Sequence, residues 1–351
     1  MELNFRSDNE SPAAEAIFAA VAEANRGSAW AYAEDHWSER LDAAFSERFE
    51  TAVTALPLST GTVANSIALA AVSPPWGSVY CHRNAHILND ESGAPEFFGN
   101  GLRLVPIEGL EGRFDGDSLR RTIRATEGHG VHSYAPSAVS LTQSTESGTV
   151  YAPDQIAGIS DAAAERRLAI HLDGARFGNA LASLGCEPAD SSWRAGVQML
   201  SFGASKNGCM AAEALLLFHD TCEKGGLDVA AVKDRAERLR KRGGHLLSKM
   251  RYVSAQLLAY LQDDLWLQLA AHANGQASRF AAAVKAHPEA GLEYPVEANE
   301  VFVRWSAEGF ARLEAAGVQF LYWPGRDDLA RFVFAHCTDP AETDALITAL
   351  S

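Results

Sequence analysis

The segment "SFGASKNGCM", residues 201–210, holds a single lysine, Lys206, among small residues. Apolar runs flank it on both sides, which is typical of a turn between two buried strands. Lysine is rarely buried unless a partner or a loss of its charge offsets the cost of desolvation. A lysine that forms an imine with an aldehyde carries no full ammonium charge, and enzymes use such lysines in covalent catalysis. We therefore expect Lys206 to have a chemical role.

Two further segments place polar groups where ligands commonly bind. "STGTVAN", residues 59–65, opens a predicted helix, so Gly61 and Thr62 could bind an anion through backbone N–H groups. The segment has neither the lysine of a Walker A loop nor GxGxxG spacing. Asp173, in "LDGAR", follows an apolar strand, and open α/β sheets bind ligands at the carboxyl ends of their strands. Taken separately, each segment is also typical of an ordinary helix cap or turn.

Taken together, the three segments contain the groups that pyridoxal 5'-phosphate needs. The lysine forms an imine with the cofactor aldehyde, and the carboxylate keeps the pyridine nitrogen protonated so that the ring accepts electrons. The helix N-terminus holds the phosphate through its amides and dipole. The combination predicts pyridoxal 5'-phosphate as the cofactor.

Apolar runs of strand length alternate with amphipathic helical stretches, which predicts an α/β fold with a mainly parallel sheet covered on both faces. The predicted strands of this sheet are residues 51–59, 78–82, 102–107, 138–143, 168–173, 197–202 and 213–218. A long helical stretch follows over residues 228–264, and then short strands alternate with helices. We predict a large cofactor-binding domain over residues 1–245, which includes an N-terminal arm, and a small α+β domain over residues 246–351.

The composition limits the possible partners and the compartment. The 351 residues carry a formal net charge of −15, which disfavours a surface for nucleic acid or for an anionic membrane. Five scattered cysteines without a CxxC pair predict reduced thiols and neither a disulfide framework nor structural zinc. The first residues lack the pattern of a signal peptide, and no apolar run reaches transmembrane length. These features predict a cytoplasmic protein.

Several longer motifs resemble one enzyme family. They are "PLSTGTVANSIAL" (57–69), "RNAHILNDESGAPEFF" (83–98), "HLDGARFGNAL" (171–181) and "SFGASKNGCMAAEA" (201–214). These motifs resemble the threonine aldolase branch of the β-eliminating lyases, which are fold-type-I pyridoxal-phosphate enzymes. The resemblance extends from "FRSDN" near the start to "RFVFAHCT" near the end. It implies retro-aldol cleavage of β-hydroxy-α-amino acids, such as L-threonine or L-allo-threonine, to glycine and an aldehyde.

The resemblance also implies roles for the residues that bind the cofactor. Lys206 would carry it, Asp173 would pair with its ring nitrogen, and His86 would stack on the pyridine face. Gly61 and Thr62 would hold the phosphate. Ser205 would assist there, and Arg176 would lie at the same site.

For the substrate, the resemblance implies that Ser7, Arg176 and Arg331 bind the amino-acid carboxylate. Arginine suits this task because its planar guanidinium matches a carboxylate bidentately. Tyr32 corresponds to a tyrosine that relatives have near the active site. The resemblance further implies a homo-oligomer, either a dimer or a tetramer.

One segment departs from the family pattern. Many relatives have a histidine after the central strand that contacts the substrate hydroxyl, whereas "SLTQSTESGTV" (140–150) contains none. The general base is therefore open between Glu146, His86 and a water bound to the phosphate. His82 and His86 form an i, i+4 pair, but no third ligand candidate lies nearby in the sequence, so we predict no metal site.

Two alternative functions remain at this point. The same scaffold supports other pyridoxal-phosphate reactions, such as β-elimination or transamination, because a fold does not determine a reaction. A catalytically silent, cofactor-binding homologue is the second alternative. The presence of Lys206, Asp173, His86, Arg176 and Arg331 favours an active enzyme, because a silent protein would be free to lose them.

Overall fold

The structure is a computed structural model that describes residues 3–350. Its strands are β1 Leu3–Asn4, β2 Val53–Leu58, β3 Gly77–His82, β4 Arg103–Ile107, β5 Ala135–Thr142, β6 Ala169–Gly174, β7 Met199–Gly203, β8 Glu213–Phe218, β9 Gly291–Leu292, β10 Glu300–Arg304, β11 Val318–Gln319, β12 Leu321–Tyr322 and β13 Leu329–Val333. Its helices are α1 Glu15–Ala24, α2 His36–Glu39, α3 Leu41–Phe49, α4 Gly61–Val72, α5 His86–Asn89, α6 Ala94–Phe98, α7 Gly116–Thr126, α8 Pro153–Ala164, α9 Phe177–Leu184, α10 His219–Lys224, α11 Val229–Arg242, α12 Arg251–Leu261, α13 Leu265–Ala286, α14 Ala307–Ala315 and α15 Pro340–Leu350.

The central sheet has seven strands in the order β2-β8-β7-β6-β5-β3-β4. Only β8 runs antiparallel to its neighbours, so the mainly parallel α/β sheet predicted from the sequence is confirmed. Because β8 is reversed, its first residue, Glu213, lies beside the last residues of β2 and β7, Leu58 and Gly203. The carboxyl ends of the parallel strands and the amino end of β8 therefore form one edge.

Both faces of this sheet are buried, which explains why its strands are almost continuously apolar. On one face, Ile67 and Leu69 of α4 pack with strand residues such as Val79 and Leu215. On the other face lies an aromatic cluster that includes Phe45, Phe49, Phe177, Phe202 and Trp266. The packed helices hold the strand ends in place around the edge described above.

A second sheet, in the order β12-β13-β10-β9, is antiparallel and lies in the C-terminal part. The N-terminal arm packs against this part, because β1 pairs with β11 and the Phe5 ring contacts that of Phe334. Residues 250–266 contribute side chains to the aromatic cluster of the large sheet. The domain boundary near residue 245 stays a prediction. Within residues 3–350, no helix has the length and apolar character needed to cross a bilayer.

The continuous helical stretch predicted over residues 228–264 is wrong in one respect. Helix α11 ends at Arg242, and α12 begins only at Arg251. Gly243 and Gly244 separate them, and Gly244 has φ of +80°, a conformation that glycine adopts readily and that ends helices. Apolar residues recur in the sequence beyond the two glycines, at Leu246, Leu247 and Met250, so the helical period alone does not reveal the break.

Candidate active site

A cavity of about 370 Å³ lies at the edge where the parallel strands end. Polar side chains from the ends of several strands and from the start of α4 line it. All residues predicted to bind the cofactor line this cavity, together with Glu146: Gly61, Thr62, His86, Glu146, Asp173, Arg176, Ser205 and Lys206. The fold thus brings together segments that are far apart in the chain.

One end of the cavity is formed by the N-terminus of α4. Thr60 caps this helix, and its hydroxyl accepts a hydrogen bond from the Val63 N–H at 3.4 Å. The first amides of a helix have no acceptor within the helix, so the Gly61 and Thr62 N–H groups are available to a ligand. The hydroxyls of Ser59 and Ser205 lie in the same cavity. This end therefore suits a phosphate.

Lys206 lies in a short 3₁₀ helix, Ser205–Asn207, directly after β7. The Asn207 side chain anchors this turn, since its amide donates to the Tyr260 hydroxyl at 2.6 Å and to the Trp266 carbonyl at 2.8 Å. Gly203 lets the turn approach the loop after Asp173, because a Cβ there would meet Ala175 Cα at 2.6 Å. The lysine itself is half-buried and opens into the cavity.

Asp173 belongs to a buried network of hydrogen bonds. Its Oδ1 accepts from the Ala175 N–H at 3.0 Å, and its Oδ2 accepts from Asn65 Nδ2 at 2.8 Å. The same Asn65 amide donates to Glu91 Oε1 at 2.9 Å, and that oxygen also lies 2.8 Å from His86 Nδ1. The cavity wall therefore links Asp173 to His86 through Asn65 and Glu91.

Glu146 contacts the first residue of α5, His86, and so lies next to this network. Its Oε1 accepts from the His86 backbone N–H at 2.7 Å and from the Thr142 hydroxyl at 2.9 Å. Its Oε2 is buried and has no hydrogen-bond partner among the described residues. Burial raises the pKa of Glu146 to about 7, and the negative charge of Asp173 adds to this effect. A carboxyl group of this kind can accept or release a proton near neutral pH.

Arg176 is held by other side chains of the same chain. Its Nε and Nη2 donate to the two carboxylate oxygens of Asp8 at 2.8 and 3.0 Å. Its Nη1 lies 3.3 Å from Glu300 Oε2, and Arg331 Nη1 lies 3.3 Å from Glu300 Oε1. Glu300 therefore bridges the two arginines predicted to bind the substrate carboxylate. Only Arg176 of the two lines the cavity.

The other two predicted substrate-binding residues lie outside the cavity lining. Ser7 caps the short helix Asp8–Glu10, where its hydroxyl accepts from the Asn9 N–H at 3.2 Å. Asn9 itself lines the cavity. Tyr32 is on the surface, and Lys241 Nζ lies 4.3 Å from the centre of its ring. Their roles toward the substrate stay predictions.

The sequence analysis did not assign three polar residues of the cavity, Asn65, Glu91 and Glu213. Asn65 is a polar residue inside the apolar helix α4, and Glu91 follows His86 by one helical turn and a residue. Glu213 begins the apolar strand β8, and burial raises its pKa to about 7. A polar residue at an otherwise apolar position was the signal for Asn65 and Glu213, whereas Glu91 lies in the polar segment "NDES" and has no such signal. Among residues 3–350, no group of three or more His, Cys, Asp or Glu is placed to hold a metal ion.

Comparison with known proteins supplies the family. Residues 4–308 match the model of the β-eliminating lyases. A low specificity L-threonine aldolase from Pseudomonas aeruginosa is 42% identical over 338 residues, which are 95% of this chain and 93% of that protein. The chain belongs to the β-eliminating lyase family. It is a carbon–carbon lyase that depends on pyridoxal phosphate.

Two further proteins support the same assignment. A low specificity L-threonine aldolase from a Pseudomonas species is 38% identical over 342 residues, covering 97% of this chain and 95% of its own. The solved structure of Leishmania major threonine aldolase has a TM-score of 0.90 and 25% identity, and the match covers 99% of this chain and 98% of that one. The fold is thus that of a fold-type-I pyridoxal-phosphate enzyme along the whole chain.

The groups in the cavity fit this cofactor. The α4 N-terminus faces the cavity with free amides, and Asp173 keeps unused acceptor capacity on a buried carboxylate. Buried polar atoms that lack partners, Ser144 Oγ and Glu146 Oε2, lie on residues that line the same space. Such atoms are costly unless a ligand or water satisfies them. An amine, a carboxylate and an anion site are the three groups that pyridoxal phosphate requires.

Proposed function

We propose that this enzyme cleaves L-threonine and related β-hydroxy-α-amino acids to glycine and an aldehyde. The observation that carries the proposal is that Lys206, Asp173 and the α4 N-terminus line one cavity in a chain 42% identical to a low specificity L-threonine aldolase. Structures of decarboxylases and an aminotransferase with 13–16% identity share the fold alone. They therefore do not favour another reaction.

When bound, pyridoxal phosphate supplies an aldehyde that condenses with amines and a pyridine ring that withdraws electrons from the bonds at the amino-acid α-carbon. Lys206 would hold the cofactor covalently, and the Asp173 carboxylate would hold the proton at the ring nitrogen. Gly61 and Thr62 would bind the phosphate through their amides, with the Ser205 hydroxyl beside them. His86 would cover the face of the ring.

The substrate carboxylate needs an arginine whose guanidinium faces it. Asp8 engages Nε and Nη2 of Arg176, and Glu300 Oε2 lies 3.3 Å from its Nη1. We assign the direct contact to this Nη1, where the substrate carboxylate would compete with Glu300, and to Arg331. Ser7 would add its hydroxyl from the arm. Asp8 and Glu300 would hold the two arginines in position for this contact.

Cleavage requires a base, because the hydroxyl must lose its proton as the Cα–Cβ bond breaks and the aldehyde carbonyl forms. We assign this role to Glu146, whose Oε2 is buried, unpaired and on a residue that lines the cavity. With its pKa raised to about 7, the carboxylate accepts the proton, and the protonated group can return one. Glu146→Gln and His86→Asn, assayed across pH, separate this assignment from direct base catalysis by His86.

The reaction is tested with purified protein, added cofactor and L-threonine, L-allo-threonine or phenylserine as substrate. We expect aldehyde and glycine in equal amounts and no release of ammonia or keto acid. Ammonia or a keto acid as the main product would indicate β-elimination or transamination, and no product from any substrate would indicate a silent homologue. Borohydride reduction followed by peptide mapping should place the cofactor on Lys206, and Lys206→Ala should lose turnover.

We further propose a cytoplasmic homo-oligomer, either a dimer or a tetramer. Phe18 and Met210 are 56% and 50% exposed and line a second depression that shares Asn9 and Ser205 with the cavity. Large exposed apolar side chains beside a site support coverage by a second copy. The cysteines among the described residues are free thiols, as suits a reducing compartment. Light scattering that shows a fully active monomer would contradict the oligomer.

A further inference from the structure

Glu91 is a charged residue in the cavity wall that the reaction above does not use. Its side chain has no solvent exposure. Its Oε1 lies 2.8 Å from His86 Nδ1 and accepts a hydrogen bond from Asn65 Nδ2 at 2.9 Å. Its Oε2 is buried without a hydrogen-bond partner among the described residues. A carboxylate kept at such a cost suggests a role beyond packing.

The atom that donates each hydrogen bond to Glu91 is defined. An ionised carboxylate only accepts hydrogen bonds, so the proton between Glu91 and a neutral His86 must lie on Nδ1. Nε2 then keeps its lone pair as an acceptor. The Asn65 amide is oriented in the same way, since its Nδ2 faces two carboxylates, those of Glu91 and Asp173. Asn65 thereby holds Glu91 against the imidazole.

We propose that Glu91 is a positioning residue that holds His86 in the tautomer with the proton on Nδ1, which leaves Nε2 as the acceptor for the ligand side. The consequence for the reaction rests on the proposed function. His86 would cover the cofactor with a fixed ring and a fixed pattern of donor and acceptor. An amide in place of Glu91 removes the charge and can present either its oxygen or its NH2 group to Nδ1, so it no longer enforces a single tautomer.

The charges around His86 act together with this contact. The hydrogen bond to Glu91 raises the pKa of His86, while its partial burial acts against this. The negative charge of Asp173 also raises this pKa, and the charge of Lys206 lowers it. The fourth group is Glu146, which contacts the His86 backbone N–H. Removing the Glu91 charge should therefore lower the pKa of the imidazole.

The test compares wild-type enzyme and Glu91→Gln as full-length, cofactor-loaded proteins labelled with ¹⁵N-histidine. In wild type, NMR should show His86 protonated on Nδ1 when neutral. In the variant, a larger share of neutral His86 should carry its proton on Nε2, and His86 should titrate at lower pH. Turnover of threonine should fall by about 10–100-fold, as is typical when a residue that orients a functional histidine is removed, while KM should change little.

Glu108→Gln is the matched control, because Glu108 is an exposed glutamate that pairs with Arg83 on the surface. It should leave the His86 signals and turnover unchanged. A wild-type His86 with its proton on Nε2 would overturn the proposal even if Glu91→Gln does not fold. An unchanged tautomer and titration in a folded Glu91→Gln would overturn it as well. The NMR result is independent of the reaction, so wild-type enzyme that shows the Nδ1 tautomer but releases no aldehyde contradicts only the proposed function.

Discussion

Asp8 in the N-terminal arm and Glu146 in the cavity wall are both buried carboxyl groups, but their surroundings shift their pKa values in opposite directions. Both oxygens of Asp8 accept from Arg176, and Asn299 adds a further hydrogen bond at 3.0 Å. Burial alone would raise the pKa of Asp8, but the charges of Arg176 and Lys206 hold it below its usual value. Among the described residues, Glu146 forms no salt bridge, and burial raises its pKa to about 7.

The difference separates carboxylates whose charge is compensated by arginines from carboxylates whose charge is not. The arginine cluster, Asp8, Arg176, Glu300 and Arg331, ties the arm and the C-terminal sheet to the end of β6 through compensated charges. Glu300 Oε2 also lacks a hydrogen bond but lies 3.3 Å from the Arg176 guanidinium, whereas Glu91 and Glu146 each keep an unpaired oxygen with no arginine or lysine beside it among the described residues. Unsatisfied polar groups destabilise a fold, and proteins tolerate them where a ligand or a reaction uses them.

The largest effect should come from the cavity and should fall on activity. Asp173→Asn keeps the size of the side chain but cannot hold a proton at the ring nitrogen, so kcat should fall by about 10²–10⁴-fold. The free energy of unfolding should fall by only about 1–3 kcal/mol, because the amide oxygen can still accept from the Ala175 N–H while its NH2 group loses the hydrogen bond from Asn65. Steady-state kinetics and urea unfolding measure the two quantities. Wild-type turnover in this variant would remove the distinction between the two regions.

The next effect should come from the arginine cluster and should fall on stability. Asp8→Asn leaves Arg176 without its bidentate partner, and breaking a buried pair in this way typically costs about 3–5 kcal/mol. Urea unfolding at neutral pH measures the loss. Glu10→Gln, an exposed carboxylate in the same arm that contacts Arg6, is the control and should change stability little. An Asp8→Asn protein as stable as wild type would contradict the structural role.

The contribution of Glu146 to the free energy of unfolding should change with pH in the opposite direction from that of Asp8. Its pKa in the folded protein, about 7, is above the usual value of 4.5, so its contribution to stability is present in acid and is lost as the pH rises through 7. Glu146→Gln cannot ionise and should be more stable than wild type at pH 8 by about 1–3 kcal/mol, with little difference at pH 4. Urea unfolding of cofactor-free protein at both pH values tests this. In the loaded enzyme, the same substitution should lower kcat and remove the loss of activity on the acid side of the profile. Equal stability at both pH values would mean that Glu146 is not perturbed by burial.

The smallest effect should come from an exposed pair. Arg83 and Glu108 approach to 2.7 Å, yet their side chains are 58% and 74% exposed. Solvent screens such a pair, so Glu108→Ala should change the free energy of unfolding by no more than about 0.5 kcal/mol. Thermal unfolding at low and high salt measures it. A loss comparable to that of Asp8→Asn would show that burial is not what distinguishes the arginine cluster.

The sequence by itself determined the strands of the large sheet and predicted which residues would carry the chemistry. Buried strands need long apolar runs, and the turns at their ends need small or polar residues, so both are visible locally at Lys206 and Asp173. The family motifs then identify these turns as parts of a pyridoxal-phosphate site. The break at Gly243 and Gly244 was missed because the prediction followed the helical period and did not weigh the glycine pair, which favours the end of a helix.

Only the tertiary structure decided which polar groups meet. Asp8 engages Arg176 across 168 positions, and Asn65 joins Asp173 to Glu91 across 108 and 26 positions, separations at which periodicity carries no information. Charge and pKa depend on burial and on neighbours within a few ångströms. For that reason the sequence could nominate Glu146 as a base, but the packing around it is what raises its pKa toward neutrality.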